Sequence, residues 1–412
     1  MNPSEKLFCK CLRLCLHPEK ITLFSQEERA ELTSHLPHCL ALAEKHGLIS
    51  CFYESLCLLE IPLTPEGRKY YRQMVTGNAL ASYRMLAFTR KILAVLEQEE
   101  VTYYLLKGAT LLDCYPKLEL RSFGDVDILV PDPEDFDRLK KQLTALGFHS
   151  KSSFAEHHLE MYYSEDGRDF LLEIHHKVIS RQANAEFNQN VQEIFQKLTP
   201  VPGFYPPARL SYQMLPATEN ALYLLLHMLQ HFLGSGFGIR LLCDWTVYLE
   251  KHGTEISWEQ FGNYLRQLGL TKFSSAVTRL CQQFLGLDAS RFPCLLDNSL
   301  DEGFPDIFMK EILDAGTFGK TNQSRMLIMS GGGRFSQYFI ELHRQMKKRF
   351  QKLCKIPPLW PFLWIISCLC FLWNNHFLRK TKTKDILDTA RKRQRLVKEL
   401  TIFQKGEGNH EK

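Results

Sequence analysis

The sequence predicts an α+β fold, α/β-like in its middle part, with a small mixed β-sheet core embedded in N- and C-terminal helical regions. Apolar residues recur at helical spacing in the first part of the chain and again in its last third. In the middle part, helix and strand patterns alternate, as they do in a small sheet flanked by helices. The 412 residues are more than one ordinary core accommodates. We therefore expect four regions, at 1–77, 78–200, 201–335 and 336–412.

The composition excludes several classes of protein. Hydrophobic residues make up 45% of the chain and charged residues 24%, which is typical of a globular protein and not of a disordered one. The net charge of +5 is too small to favour a nucleic-acid partner. The 13 cysteines are odd in number and the amino terminus lacks a secretion-signal pattern, so we expect a cytoplasmic location. Cys9, Cys11 and Cys15 lack the spacing of common zinc sites and are expected to be buried on a helix.

The N-terminal region is predicted to be helical. Ser25 followed by Glu28 is a capping-box pattern, which indicates where a helix begins. Pro62 and Pro65 interrupt the helical pattern. After them, a long helix is predicted from about Asn78 to Glu99.

Strand and helix patterns then alternate. The segments VTYYLL and DVDILV predict two strands with a short helix between them. The segment DPEDFDRLKKQLTALGF predicts a helix with an acidic first turn that ends near Gly147. Asp166 and Gly167 predict the turn of a β-hairpin. The proline-rich segment 199–210 is interpreted as a linker to the C-terminal helices.

Two carboxylates stand at the start of the strand DVDILV. Residues two apart on a strand point to the same face, so Asp125 and Asp127 lie together. Two close carboxylates repel each other unless a cation lies between them, and oxygen ligands favour Mg²⁺ or Mn²⁺. Glu173, the single acid within an apolar strand downstream, is the candidate third carboxylate of a catalytic metal centre. The alternative is that the two aspartates only cap a turn or a helix.

Basic and small residues near these acids indicate a phosphate site. Lys107 supplies positive charge, and Gly108, placed between a strand and a helix, lets the backbone approach a phosphate. Arg121 and Ser122 are candidate phosphate ligands, with a solvated loop and a surface ion pair as the alternative. His175 shares the face of Glu173 and is a candidate for orienting a phosphate, a metal ligand or the acceptor.

Two pairs with i, i+4 spacing lie on the C-terminal helices. His227 and His231 have a spacing that suits a metal, but they are expected in the core or between domains because no acid lies nearby in the sequence. Arg240 and Asp244 form either a simple ion pair or, if their helix faces the cleft, a place where Arg240 contacts a phosphate.

Taken together, the segment LLKGATLLDCYPKLELRSFGDVDILV resembles nucleotidyltransferases of the DNA polymerase β-type superfamily, and in particular a group of bacterial "nucleotidyltransferase family" proteins. The matching residues are Leu106, Lys107, Gly108, Leu112, Tyr115, Arg121, Asp125, Val126, Asp127, Ile128, Leu129 and Val130. Glu173-Ile174-His175 is similar to a strand of the same group, and the helices that carry His227, Arg240 and Asp244 resemble two of its helices. The likeness covers residues 78–250.

The resemblance implies that residues 78–200 are a nucleotidyltransferase core, in which Asp125, Asp127 and Glu173 hold Mg²⁺ or Mn²⁺. A nucleoside monophosphate would pass from a nucleoside triphosphate to an acceptor hydroxyl, pyrophosphate would leave, and Glu173 would be the base. The candidate nucleotide-binding residues are Lys107, Gly108, Arg121, Ser122, His175 and Arg240. Many members have Gly-Ser where this chain has Lys107-Gly108, which leaves the choice of nucleotide open.

The C-terminal tail joins an uncharged aromatic segment, 356–378, to basic flanks, and residues 344–384 contain no acid. Three interpretations are open. In the first, the segment is a helix packed on the enzyme, as the resembling bacterial proteins suggest. In the second, it is an anchor on the surface of an anionic membrane, and in the third it is a transmembrane span shortened by its prolines.

Three functions are compatible with these observations. The first is a Mg²⁺-dependent nucleotidyltransferase whose acceptor is a small molecule, a sugar, a protein or RNA. The second is a non-catalytic nucleotide-binding or scaffold protein that keeps the same fold. The third is an RNA-directed enzyme, which the basic stretch 344–355 favours and the modest overall charge disfavours.

Overall fold

The computed structural model describes residues 1–150, 157–182, 184–234, 236–296, 299–316, 342–343, 346–347, 349–350, 353–373 and 395–402. A single mixed six-stranded sheet lies among helices, which confirms the predicted α+β fold.

Four helices precede the sheet: α1 (Pro3–Leu16), α2 (Gln26–Lys45), α3 (Ile49–Leu58) and α4 (Pro65–Gln98). The predicted capping box is confirmed, because the Ser25 side chain accepts from the backbone amide of Glu28 and the Glu28 carboxylate accepts from that of Ser25. Cys9, Cys11 and Cys15 are buried on α1, as expected.

Helix α4 begins thirteen residues before the predicted start at Asn78, so that prediction was wrong. Pro65 occupies the first turn, where a missing amide costs nothing, and the Thr64 side chain caps the helix by accepting from the amide of Gly67. The expected boundary between residues 77 and 78 therefore falls inside one continuous helix, and the four-region division stays a prediction.

The strands are β1 (Tyr104–Leu105), β2 (Asp125–Leu129), β3 (His158–Glu165), β4 (Arg168–His175), β5 (Val201–Tyr205) and β6 (Leu210–Met214). Their order across the sheet is β3-β4-β2-β1-β6-β5. The central pair β2 and β4 is parallel, and β3 pairs with β4 in the antiparallel sense. The hairpin turn predicted at Asp166 and Gly167 is confirmed, and both residues have positive φ, at 51° and 72°, as a two-residue hairpin turn requires.

The segment interpreted as a proline-rich linker is part of the sheet, so the linker interpretation was wrong. Strands β5 and β6 form an antiparallel hairpin at the sheet edge. Pro202 is tolerated there because an edge strand has one side without hydrogen-bonding neighbours.

The remaining described helices are α5 (Pro133–Ala145), α6 (Ala185–Phe195), α7 (Ala217–Gly234), α8 (Arg240–His252), α9 (Trp258–Leu268), α10 (Thr271–Leu280), α11 (Phe304–Ala315) and α12 (Trp360–Trp373). One face of the sheet packs its apolar side chains, among them Val126 and Ile128, against α4 and α5. Strand alternation turns Asp127 to the opposite face, which is covered by α7 and α8.

In the tail, α12 presents five apolar side chains to solvent, each 42–65% exposed. They are Phe362, Ile365, Ile366, Leu369 and Trp373, a stripe along one side of the helix. Leu363 and Ser367 on the other side are buried. Within the described ranges, no helix is long and apolar enough to cross a membrane. Most of the basic flanks lie outside the described residues.

Candidate active site

The sheet brings two of the predicted carboxylates side by side. In the parallel pairing of β2 with β4, Asp127 is the direct partner of Glu173, so both side chains leave the same face of the sheet. The Asp127 side chain is fully buried, and that of Glu173 is 18% exposed. Asp125 lies on the same face two residues earlier and is partly buried.

Two cationic groups meet these carboxylates. The Lys107 Nζ lies 3.1 Å from Oδ1 of Asp127. The His175 Nε2 lies 3.1 Å from the same oxygen and 3.3 Å from Oε2 of Glu173. The second oxygen of Asp127, Oδ2, is buried and has no hydrogen-bond partner among the described residues.

The charges shift one another's pKa values. Repulsion by Asp127, together with burial, raises the pKa of Asp125. Burial also acts to raise the pKa of Glu173, but the hydrogen bond from His175 and the charge of Lys107 outweigh it and hold that pKa at about 2. Burial disfavours charged Lys107 and His175, yet the neighbouring carboxylates prevail and raise the pKa of both.

Asp125 and Glu173 line a cavity of about 290 Å³ between the sheet and helices α7 and α8, and Asp127 is buried next to it. The residues that line it include Gly108 and the ionisable side chains of Lys107, Arg121, Asp125, His157, His158, Glu173, His175, Tyr223, His227, His231, Arg240 and Asp244. A larger and more open groove of about 830 Å³ runs along α4, but no carboxylate lines it. The smaller cavity is therefore the candidate active site.

A divalent cation fits the donor set of this cavity. Asp127, Glu173 and His175 each offer one ligand atom, and these atoms lie within 4.8 Å of one another. The unsatisfied Oδ2 of Asp127 is the kind of buried oxygen that a cation would complete. In the described part of the chain, Asp125 does not belong to any such close group, so its role as a ligand stays a prediction.

Arg121 lies at the cavity but is engaged in a buried ion pair. Its Nε and Nη2 donate to the two carboxylate oxygens of Asp244 at 2.8 and 2.9 Å. The hydroxyl of Tyr115 donates to the same carboxylate at 2.7 Å. The predicted helix ion pair of Asp244 with Arg240 is thus replaced by a pair with Arg121.

Arg240 lines the cavity, and no ion-pair partner is found for it among the residues that the structure describes. Burial and the nearby charge of Arg121 lower the pKa of its guanidinium. A buried cation in this position is suited to bind an anion. Ser122 is not among the described residues that line the cavity.

Gly108 occupies the position that the phosphate-site interpretation requires. It has a φ of +52° and begins a short 3₁₀ helix, Gly108–Cys114, directly after Lys107. A Cβ at this position would lie 3.5 Å from the Phe123 ring in a backbone conformation that favours glycine.

The sequence interpretation missed several residues of the cavity wall. His227 and His231 were expected in the core or between domains, yet both line the cavity, with ring centroids 4.5 Å apart. Burial, followed by the charge of Lys107, lowers the pKa of both, to about 4 for His231. Tyr223, one turn before His227, carried no signal that separates it from an ordinary core tyrosine.

A carboxylate pair on adjacent strands, facing a buried lysine and an arginine that has no ion-pair partner in the described part of the chain, is the kind of site found in phosphoryl-group transferases that bind a nucleotide and a cation. A family model described as "uncharacterised nucleotidyltransferase" matches residues 34–286, and the chain belongs to that family. The resemblance stated from the residues is thereby confirmed, and membership supports a general role in nucleotidyl transfer. No curated protein and no solved structure matches the chain.

Proposed function

We propose that this protein is a Mg²⁺- or Mn²⁺-dependent enzyme that transfers a nucleoside monophosphate from a nucleoside triphosphate to an acceptor hydroxyl. The observation that carries this function is the register of Asp127 with Glu173, where Glu173 lines a cavity together with Lys107 and Arg240. The acceptor is a small molecule, a sugar, a protein or RNA.

Asp125, Asp127 and Glu173 would hold the cation, with His175 beside the last two. When bound, the cation would neutralise charge on the triphosphate and favour departure of pyrophosphate. Glu173 suits the role of ligand better than that of base, because a carboxylate with a pKa of about 2 accepts a proton poorly at neutral pH.

The phosphates would lie between Lys107, Gly108 and Arg240. Lys107 is buried next to the carboxylates, and Arg240 approaches from α8 on the opposite wall. Arg121 would act indirectly, by holding Asp244 and the loop before β2. Ser122 stays a candidate phosphate ligand because it lies in that loop, directly after Arg121.

In the reaction, the acceptor oxygen would form a bond to the α-phosphorus while the bond from that phosphorus to the pyrophosphate oxygen breaks. The hydroxyl proton would leave to water in the cavity. The residues of the chain would hold the two reactants in line and offset the negative charge, which is the main contribution expected in phosphoryl transfer.

The experiment uses nucleoside triphosphates labelled at the α-phosphorus, incubated one at a time with the purified protein and a cell extract. The wild type should release pyrophosphate and label an acceptor, whereas Asp125→Asn, Asp127→Asn and Glu173→Gln should lose about a hundredfold or more of this rate. Asp137→Asn, on the exposed side of α5, is the matched control and should keep the wild-type rate. Turnover that survives in Asp127→Asn would show that the site is assigned incorrectly.

Calorimetry separates this enzyme from the non-catalytic alternative. A scaffold protein with the same fold would bind a triphosphate without releasing pyrophosphate for any acceptor in the panel. Arg240→Gln should weaken triphosphate binding about tenfold or more under either function, since it removes a charge from the cavity wall.

We also propose that the tail contacts the surface of an anionic membrane while the enzyme works in the cytoplasm. The exposed stripe of α12 and the basic sequence on both sides of it support this contact. Sedimentation with vesicles tests it, and equal recovery with neutral and anionic vesicles would argue against it. An RNA acceptor, which is less favoured, would show as salt-dependent RNA binding.

A further inference from the structure

The face that carries Asp127 and Glu173 continues onto the neighbouring strand β3. In the antiparallel pairing of β3 with β4, Glu160 is the direct partner of Glu173 and His158 is the partner of His175. Three carboxylates therefore stand in a row across β2, β4 and β3, with two imidazoles in the row beside them.

The three carboxylates of this row differ in how many positively charged groups lie next to them. Asp127 is met by Lys107 and by His175, and Glu173 is met by His175. At the β3 end, Glu160 accepts a hydrogen bond from the Tyr162 hydroxyl at 3.1 Å and has the His158 Nε2 at 3.6 Å. A row of like charges is stable only where cations separate them, so this end is where a further cation would be most effective.

The ligand atoms at this end are already close. One ring nitrogen of His158 and one carboxylate oxygen each of Glu160 and Glu173 lie within 4.8 Å of one another. All three residues are partly buried, which shields an ion from water while leaving a route of entry from the cavity.

His158 is held in the way that a metal-binding histidine usually is. Its Nδ1 lies 3.0 Å from Nε2 of His157, so one of the two rings must donate to the other. When His158 is the donor, its Nε2 carries the lone pair, and this atom is buried without a hydrogen-bond partner among the described residues. A metal-binding histidine usually donates its other ring N–H to a hydrogen-bond acceptor, and Nε2 of His157 would be that acceptor here.

We propose that His158, Glu160 and Glu173 form a second cation site beside the Mg²⁺ site. This site binds Zn²⁺ or a similar divalent transition-metal ion. The second site offers one imidazole nitrogen and two carboxylate oxygens, a set that suits Zn²⁺ or Co²⁺, whereas Asp125, Asp127 and Glu173 would offer Mg²⁺ the oxygen ligands that it prefers. The second site rests on the proposed function only through Glu173, which both ions share. Because of this shared ligand, occupation of one site changes the affinity of the other.

Direct binding of Co²⁺ and Zn²⁺ to the chelator-treated full chain tests the site without any measurement of activity. The visible spectrum of bound Co²⁺ reports a nitrogen and oxygen ligand set, and it distinguishes this set from thiolate ligation by the exposed cysteines, which adds an intense near-ultraviolet band. Calorimetry then gives the affinity for Zn²⁺ in competition with Co²⁺.

The expected result is at least one Co²⁺ per chain without a thiolate band. His158→Gln and Glu160→Gln, which keep the size of the side chains, should weaken Zn²⁺ binding about tenfold or more. Replacement of His149, an exposed histidine that forms an isolated bridge with Tyr162 of β3, by glutamine should leave Zn²⁺ affinity within about threefold, and so should Asp125→Asn.

Two results would overturn the second site. Unchanged Zn²⁺ affinity in both His158→Gln and Glu160→Gln would exclude these ligands. Binding that is lost in Asp125→Asn but kept in His158→Gln would place the ion on the catalytic aspartates instead. Failure of the proposed function is separable, because it would appear as a wild-type protein that releases no pyrophosphate with any nucleoside triphosphate while the Co²⁺ spectrum stays normal.

Discussion

At the residue scale, two buried aspartates of this chain have opposite hydrogen-bonding states. Both oxygens of Asp244 are bound, by Arg121 on each and by the Tyr115 hydroxyl on one of them. Asp127 is bound on one oxygen only, and its Oδ2 has no partner in the described part of the chain. Asp244 is therefore satisfied by the protein itself, whereas Asp127 retains the capacity to bind a cation.

Replacing Arg121 with methionine should lower the free energy of unfolding by about 3–5 kcal/mol, because it leaves Asp244 buried without its counter-charge. The double variant Arg121→Met/Asp244→Leu should recover a large part of that loss, since it removes both buried charges. Urea unfolding with an unchanged m-value measures the effect.

Arg240→Met is the matched control for that experiment, because Arg240 lies in the same cavity without an ion-pair partner among the described residues. Its free energy of unfolding should stay within about 1 kcal/mol of the wild type. If Arg121→Met instead kept full stability and lost only nucleotide affinity, Arg121 would be the phosphate ligand that the sequence predicts.

The identity of the site residues could be predicted from the sequence better than their partners. Strand alternation places Asp125 and Asp127 on one face whatever the rest of the fold is. That Glu173 stands beside Asp127 depends on which strands pair, and no local pattern contains this information. The pairing of Asp244 with Arg121 was hidden for the same reason, since the local spacing on α8 favours Arg240.

At the element scale, the long helices and the β3–β4 hairpin were predictable because each has a strong local signal. The hairpin of β5 and β6 was not, because its prolines and Gly203 resemble a linker. Pro202 and Gly203 are accommodated by position: β5 is an edge strand, and Gly203 lies directly opposite Tyr212 on β6. Composition alone does not distinguish an edge strand of this kind from a loop.

Gly203→Ala should destabilise the protein by about 1–3 kcal/mol, because the added Cβ would lie 2.7 Å from Cζ of the buried Tyr212 ring. Gly77→Ala, in the interior of α4, is the matched control. Nothing lies within 4 Å of its added Cβ, so the helix should gain about 0.5–1 kcal/mol. Thermal unfolding of the two variants should shift in opposite directions, and a shift of Gly203→Ala towards higher temperature would contradict the packing of β5 on β6.

At the scale of the whole molecule, the N-terminal helices and the C-terminal helices share one hydrophobic core. Buried side chains of α1 and α3, such as Phe8 and Phe52, belong to the same cluster as Trp245 of α8 and Phe308 of α11. Polar contacts also connect the two ends, for example from the His17 ring to the carbonyl of Leu285 at 3.0 Å. Contacts between elements so far apart in the chain leave no trace in local sequence patterns, so the shared core could not be predicted from the sequence.

His46, at the end of α2, makes the packing of the N-terminal helices against the C-terminal helices dependent on pH. Its Nε2 lies 3.1 Å from the carbonyl of Leu313 on α11, so the neutral ring donates this hydrogen bond, while its Nδ1 is buried without a partner among the described residues. Burial, followed by the charge of Lys45, lowers the pKa of His46 from 6.5 to about 4. Protonation would place an unpaired charge in the shared core.

The sign of the effect on stability follows from that pKa. Between pH 6.5 and pH 4 the unfolded chain binds a proton at His46 that the folded chain does not, so stability is complete above pH 6.5 and decreases as the pH falls. The loss should reach about 2–3 kcal/mol near pH 4.5. His46→Gln keeps a donor for Leu313 and cannot be protonated, so the difference between wild type and variant, measured by urea unfolding at several pH values, isolates this contribution from that of other histidines. An identical pH dependence in wild type and His46→Gln would show that the contact of α2 with α11 does not exclude the charged ring.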